Sequence, residues 1–95
     1  MSKVKKNLVH YQDLIIKIRD FFYSRKVTEV KTPSLLFSPS TDVYIDSIAV
    51  KVNRDISRPT DLYLHTSPEL EMKRLLSKGS GDIFQICQVY RDNEY

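Results

Sequence analysis

Ninety-five residues, 41% hydrophobic and 28% charged, fit one globular domain at most and argue against a disordered chain. Fifteen Lys and Arg against twelve Asp and Glu leave a formal net charge of +3, compatible with anionic ligands but making no demand for nucleic acid. No apolar run approaches the length of a membrane span, and no signal-peptide core opens the chain.

The lysine-rich opening "MSKVKK" reads as a frayed terminus rather than a nucleic-acid arm. A helix is predicted over residues 9–25, where Leu14, Ile18, Phe21 and Phe22 recur at helical spacing and Ile15 widens the stripe. "SRK" ends it. Val27, Thr28 and Val30 favour a short strand, and Pro33 forces Thr32 out of helix and closes the segment.

"SLLFSPSTD" then reads as a loop, and "VYIDSIAVKV" as a half-buried strand in which Ile48, Val50 and Val52 alternate with Ala49 and Lys51. The polar "NRDISRPTD" leads to a further short strand, "LYLH". In "TSPELEMKRLL" two capping schemes are open. Either Ser67 is the N-cap and Pro68 the first helical residue, or Thr66 caps in a T-x-x-E box with Glu69. Met72, Leu75 and Leu76 form the apolar face, Lys73 and Arg74 suit the C-terminal end of the helix dipole, and Gly79 stops the helix.

A strand over residues 82–90 has little polarity on either face, as in a sheet covered on both sides. Its Cys87, the single cysteine, excludes an internal disulfide, suits a reducing cytoplasm and reads as a buried structural thiol. His10 and His65 stand alone, and no metal-ligand spacing is present. The order helix, strand, strand, strand, helix, strand predicts an α+β fold with a mostly antiparallel sheet and flanking helices.

Three landmarks in this order resemble the catalytic core of class II aminoacyl-tRNA synthetases, in the lysine-specific subgroup. "IIKIRDFFYSRKVTEVKTP", within residues 12–33, looks like the first family motif, which implies a homodimer interface through its helix. "TSPELEMKRLL", residues 66–76, looks like the amino-acid-binding segment, and "GDIFQICQVYRDNEY", closing at residues 82–95, like the start of the second motif. Within the subgroup the chain is most similar to the small paralogues that ligate lysine to elongation factor P. Lysyl-tRNA synthetases set an anticodon-binding barrel ahead of the first-motif helix. Here that helix begins within the first dozen residues, so tRNA is the less favoured acceptor.

The resemblance implies ATP-dependent activation of lysine, or a lysine isomer, to an adenylate, followed by transfer to a lysine of elongation factor P in the cytoplasm. It implies ATP and Mg2+ as cofactors, with no metal ligands in this segment. Ser67, Pro68 and Glu69 would line the lysine pocket, Glu69 pairing an ammonium of the substrate. Arg91 would be catalytic, binding the ATP α-phosphate through its planar guanidinium, with Asp92, Asn93 and Glu94 beside the nucleotide.

Two positions depart from the family pattern. Asn93 stands where a glutamate is usual, with Glu94 one place later, and Lys26 stands where glycine often follows the first helix. The third motif and its second ATP-binding arginine would lie beyond Tyr95, so the resemblance covers about the N-terminal third of such a protein and implies little activity for this segment alone. Two other readings stay open: tRNA aminoacylation, and a truncated, non-catalytic dimerisation module. Structural readings stand beside each landmark: an ordinary capped helix, an i,i+4 pair between Glu69 and Lys73, and a solvated Arg91 at a strand end.

Overall fold

The computed structural model describes residues 2–39, 47–52 and 60–92. The chain opens with a 22-residue helix, α1 (Lys3–Ser24), which starts well ahead of residue 9. The Ser2 hydroxyl oxygen accepts the Lys5 N–H at 3.1 Å, and this N-cap makes the lysine-rich opening the first helical turn instead of a frayed end.

At the other end, Val27 donates its N–H to Phe22 at 3.0 Å and Lys26 donates to Tyr23 at 3.1 Å. This is a Schellman motif with Lys26 in the left-handed position at φ 59°. A residue with a Cβ pays about 1 kcal/mol there, which glycine avoids.

Strand β1 (Thr28–Glu29) follows and pairs in parallel with β5 (Ile83–Phe84), Thr28 opposite Ile83 and Glu29 opposite Phe84. The helix is tied to this ladder twice. Arg19 donates from Nε and Nη2 to the two Glu29 carboxylate oxygens at 3.0 and 3.1 Å, a forked pair that holds the guanidinium above its ordinary pKa. The Phe22 ring stacks on Phe84, which at 8% exposure is the one buried hydrophobic residue among those described.

A second sheet holds three antiparallel strands in the order β2 (Leu35–Leu36), β4 (Thr60–Leu64), β3 (Ile48–Val52). Strand β2 lies in the predicted loop after Pro33, where Leu35 pairs with Leu64 and Leu36 with Tyr63. Ile48, Val50 and Val52 are half-buried and Ala49 and Lys51 exposed, as the alternation predicts. The predicted start of this strand at residues 43–46 lies outside the described residues.

Helix α2 (Glu69–Ser77) follows neither predicted cap: Pro68, at ψ 9°, is the N-cap residue instead of the first helical one and no side chain makes a cap bond, while the Ser67 hydroxyl accepts the Glu69 N–H at 3.1 Å from the turn before it. Its far end is a second Schellman motif, this time with Gly79 at φ 89°. Met72 and Leu75 face inward, whereas Leu76 is exposed.

The described residues thus mix a parallel pair with an antiparallel sheet. Strand β5 is far shorter than the predicted 82–90, because residues 85–90 meet no ladder partner among the described residues. For the same reason Cys87 is exposed, not buried, and the segment is not covered on both faces. Several large apolar side chains among the described residues stay exposed, Leu8, Tyr11 and Phe37 among them.

Candidate functional site

The three landmark segments converge on the stretch between β4 and α2. His65 is 3% exposed and binds three ways. Its N–H donates to the Ser34 carbonyl at 2.8 Å, and its carbonyl accepts the Tyr90 N–H at 3.1 Å. Its Nε2 lies 2.6 Å from the Gln88 carbonyl oxygen, which can only accept, so the proton sits on Nε2. Nδ1 is then a buried acceptor with no donor among the described residues. One residue thereby joins the stretch after Pro33, the start of the 66–76 segment and the run to Arg91.

A second clasp reinforces this. The Gln85 amide oxygen accepts the Thr32 N–H at 3.1 Å, and the Gln85 amide nitrogen donates to the Thr32 hydroxyl at 3.0 Å. Pro33 keeps Thr32 extended, so its N–H cannot enter a helix and is met by a side chain instead. Between the clasps lies a cleft of about 400 Å³ bordered by Lys31, Thr32, His65, Gln85 and Tyr90, among others. His10 sits on the α1 surface, away from this cleft and in no metal cluster.

Of the expected site residues that are described, none borders the cleft. Ser67 is exposed and its hydroxyl accepts the Glu69 N–H, and Pro68 is half-buried in the turn. The Glu69 carboxylate sits in the first turn of α2, where the helix dipole favours an anion, and is 70% exposed. It binds the Lys73 ammonium at 2.8 Å, a hydrogen bond that holds its pKa below the ordinary carboxylate range. The Glu69–Lys73 pair foreseen on structural grounds is therefore formed, and its lysine ammonium is chemically the group expected of the substrate. Glu71 is occupied elsewhere, accepting from Arg74 at 2.8 Å.

Arg91 is half-buried directly after Tyr90, and Asp92 is exposed. Asn93 and Glu94 lie outside the described residues. Among the described residues no cluster of three or more His, Cys, Asp or Glu side chains could hold a metal ion, and no helix is long and apolar enough to cross a membrane.

Sequence reasoning missed His65 as more than a lone histidine. Its partners are backbone carbonyls and an amide far along the chain, which leave no mark in residue spacing.

Comparison with known proteins shows the family. The chain is 46% identical over 82 residues to an elongation factor P–(R)-beta-lysine ligase of Pseudoalteromonas translucida, covering 85% of this chain and 25% of that protein. Proteins of the same name from Avibacterium paragallinarum and Erwinia tasmaniensis are 45% and 42% identical, over 85% and 93% of this chain and 26% and 27% of their own lengths. The chain thus spans about a quarter of the length of the curated relatives it matches. With residues 1–95 all matched to that family, the chain belongs to the class II tRNA synthetases of the D, K and N group.

Proposed function

We propose that this chain supplies part of the site of an ATP-dependent ligase that activates lysine, or an isomer of it, and passes it to a lysine of elongation factor P. The observation that carries this reading is the meeting of the two binding segments at His65. Its backbone precedes the Ser67–Pro68–Glu69 turn and receives the N–H of Tyr90, the residue before Arg91. The names of the relatives supply the substrate and the acceptor.

In the first step a carboxylate oxygen of lysine attacks the α-phosphorus of ATP, a C–O–P linkage forms and pyrophosphate leaves. Glu69 receives an ammonium of lysine in place of Lys73, at low cost because the existing pair is exposed. Ser67 and Pro68 fix the turn from which Glu69 projects. Arg91 donates to the α-phosphate oxygens and stabilises the charge that grows there. In the second step the amine of the acceptor lysine attacks the activated carbonyl and AMP departs. Asp92, Asn93 and Glu94 follow Arg91 and belong beside the nucleotide on this reading. Among the described residues no group of three or more His, Cys, Asp or Glu side chains could hold Mg2+.

The reading includes a cytoplasmic homodimer. Val4, Leu8, Tyr11 and Leu14 of α1 are 69%, 62%, 66% and 56% exposed, an apolar stripe that a second copy of the helix would cover.

The test uses the natural polypeptide that carries residues 1–95. Lysine-dependent ATP–pyrophosphate exchange, lost in Arg91→Ala, and labelling of elongation factor P are expected. Exchange followed by charging of tRNA instead would replace the acceptor, and absence of exchange would leave the dimerisation module.

A further inference from the structure

We propose that His65 is a positioning residue whose ring sets Arg91 in register with the turn at residues 67–69. The inference rests on the proposed function for the roles of those two groups, and on the geometry for the link between them.

His65 is 3% exposed, so its contact is shielded from competing water. Its Nε2–H donates to the Gln88 carbonyl at 2.6 Å, three residues before Arg91. The same residue's carbonyl holds the Tyr90 N–H at 3.1 Å, immediately before Arg91. Residues 85–90 belong to no ladder among the described residues, so these contacts stand in for the sheet pairing that would otherwise set the path of the segment. On its other side His65 is anchored through its N–H to Ser34 and continues into Thr66, itself buried, and Ser67, whose hydroxyl accepts the Glu69 N–H.

The backbone contacts would survive most substitutions, whereas the Gln88 contact belongs to the ring alone. Without it the Gln88 carbonyl loses its donor and the approach to Arg91 loosens. A guanidinium displaced by about 1 Å binds phosphate less well and stabilises the transition state much less. Glu69, carried by its own helix α2, stays in place. The expected signature is therefore confined to the nucleotide.

The experiment compares His65→Gln, His65→Asn and His65→Leu in the natural polypeptide. The glutamine amide nitrogen falls close to the position of Nε2, and the asparagine amide is too short to reach it. Lysine-dependent ATP–pyrophosphate exchange is expected to show the KM for ATP raised about tenfold and kcat lowered in the Asn and Leu variants. The KM for lysine should stay within about twofold, and Gln should restore wild-type values. Wild-type kinetics in Asn and Leu, or a Gln variant as impaired as Asn, would overturn the proposal. The Gln–Asn pair suffices should Leu fail to fold.

Amide hydrogen exchange at Tyr90 is measured on the same proteins. If the wild type shows no exchange activity at all, the proposed function fails. Tyr90 then decides the link separately: faster exchange in Asn than in Gln upholds it, and equal rates overturn it.

Discussion

The rings of Phe22 and Phe84 stack with centroids 4.3 Å apart and planes at 18°, locking the last turns of α1 onto the parallel β1–β5 pair. Because Phe84 is the one buried hydrophobic residue described, this contact is the centre of the packing between the end of α1 and the β1–β5 pair. Phe84→Ala should destabilise the natural polypeptide by about 3 kcal/mol in chemical denaturation. A loss below about 0.5 kcal/mol would show that the stack contributes little.

Lys26 adopts a conformation that only glycine takes without strain. Lys26→Gly should stabilise by about 0.5 kcal/mol, strain relief being partly offset by the greater freedom of glycine in the unfolded chain. Lys26→Val should destabilise by more than that, since a β-branched side chain is worst at positive φ. Thermal denaturation ranking Val below Lys below Gly checks the account.

The Glu69–Lys73 bond carries a pH signature. With the folded pKa of Glu69 held below its unfolded value, the pair contributes stability above the ordinary carboxylate range. That contribution disappears as pH falls through the folded pKa. In Lys73→Met the Glu69 carboxyl should titrate higher by carbon NMR. The same substitution removes a competitor for the pocket, so the KM for lysine should fall about twofold. A carboxyl unmoved by the substitution would remove Lys73 as the cause.

Glu69→Gln and Arg91→Ala separate the two halves of the proposed site. The first should raise the KM for lysine more than tenfold, on the order of a lost charge-assisted bond. The second should abolish exchange. Residues 1–95 expressed by themselves are expected to give no exchange, since the charge on the phosphates needs stabilisation from both sides. Strong exchange by that segment would contradict this division of labour.

The uncovered stripe of α1 predicts self-association. Leu8→Glu with Tyr11→Glu should convert a dimer of the natural polypeptide to monomer in sedimentation velocity, because two carboxylates would face their copies across an apolar contact. A wild-type monomer would remove the dimer from the proposal.

Much of the fold was legible before any coordinates. The helical period of α1, the turn at Pro33, the alternation at residues 48–52 and the Gly79 stop are local rules, set by periodicity and by a few residues with strong backbone preferences, although Leu14 and Phe21 of the predicted stripe are exposed and the cap of α2 falls on Pro68. The order of three landmarks was enough to indicate the family. Only the tertiary structure decided that β1 and β5 run parallel, that Leu35 and Leu36 form a strand, that Cys87 is exposed and that His65 joins three segments. Those outcomes depend on which backbone groups meet across dozens of intervening residues. Hydrogen bonds to the main chain are indifferent to side-chain identity, so they leave no trace in the residues that make them.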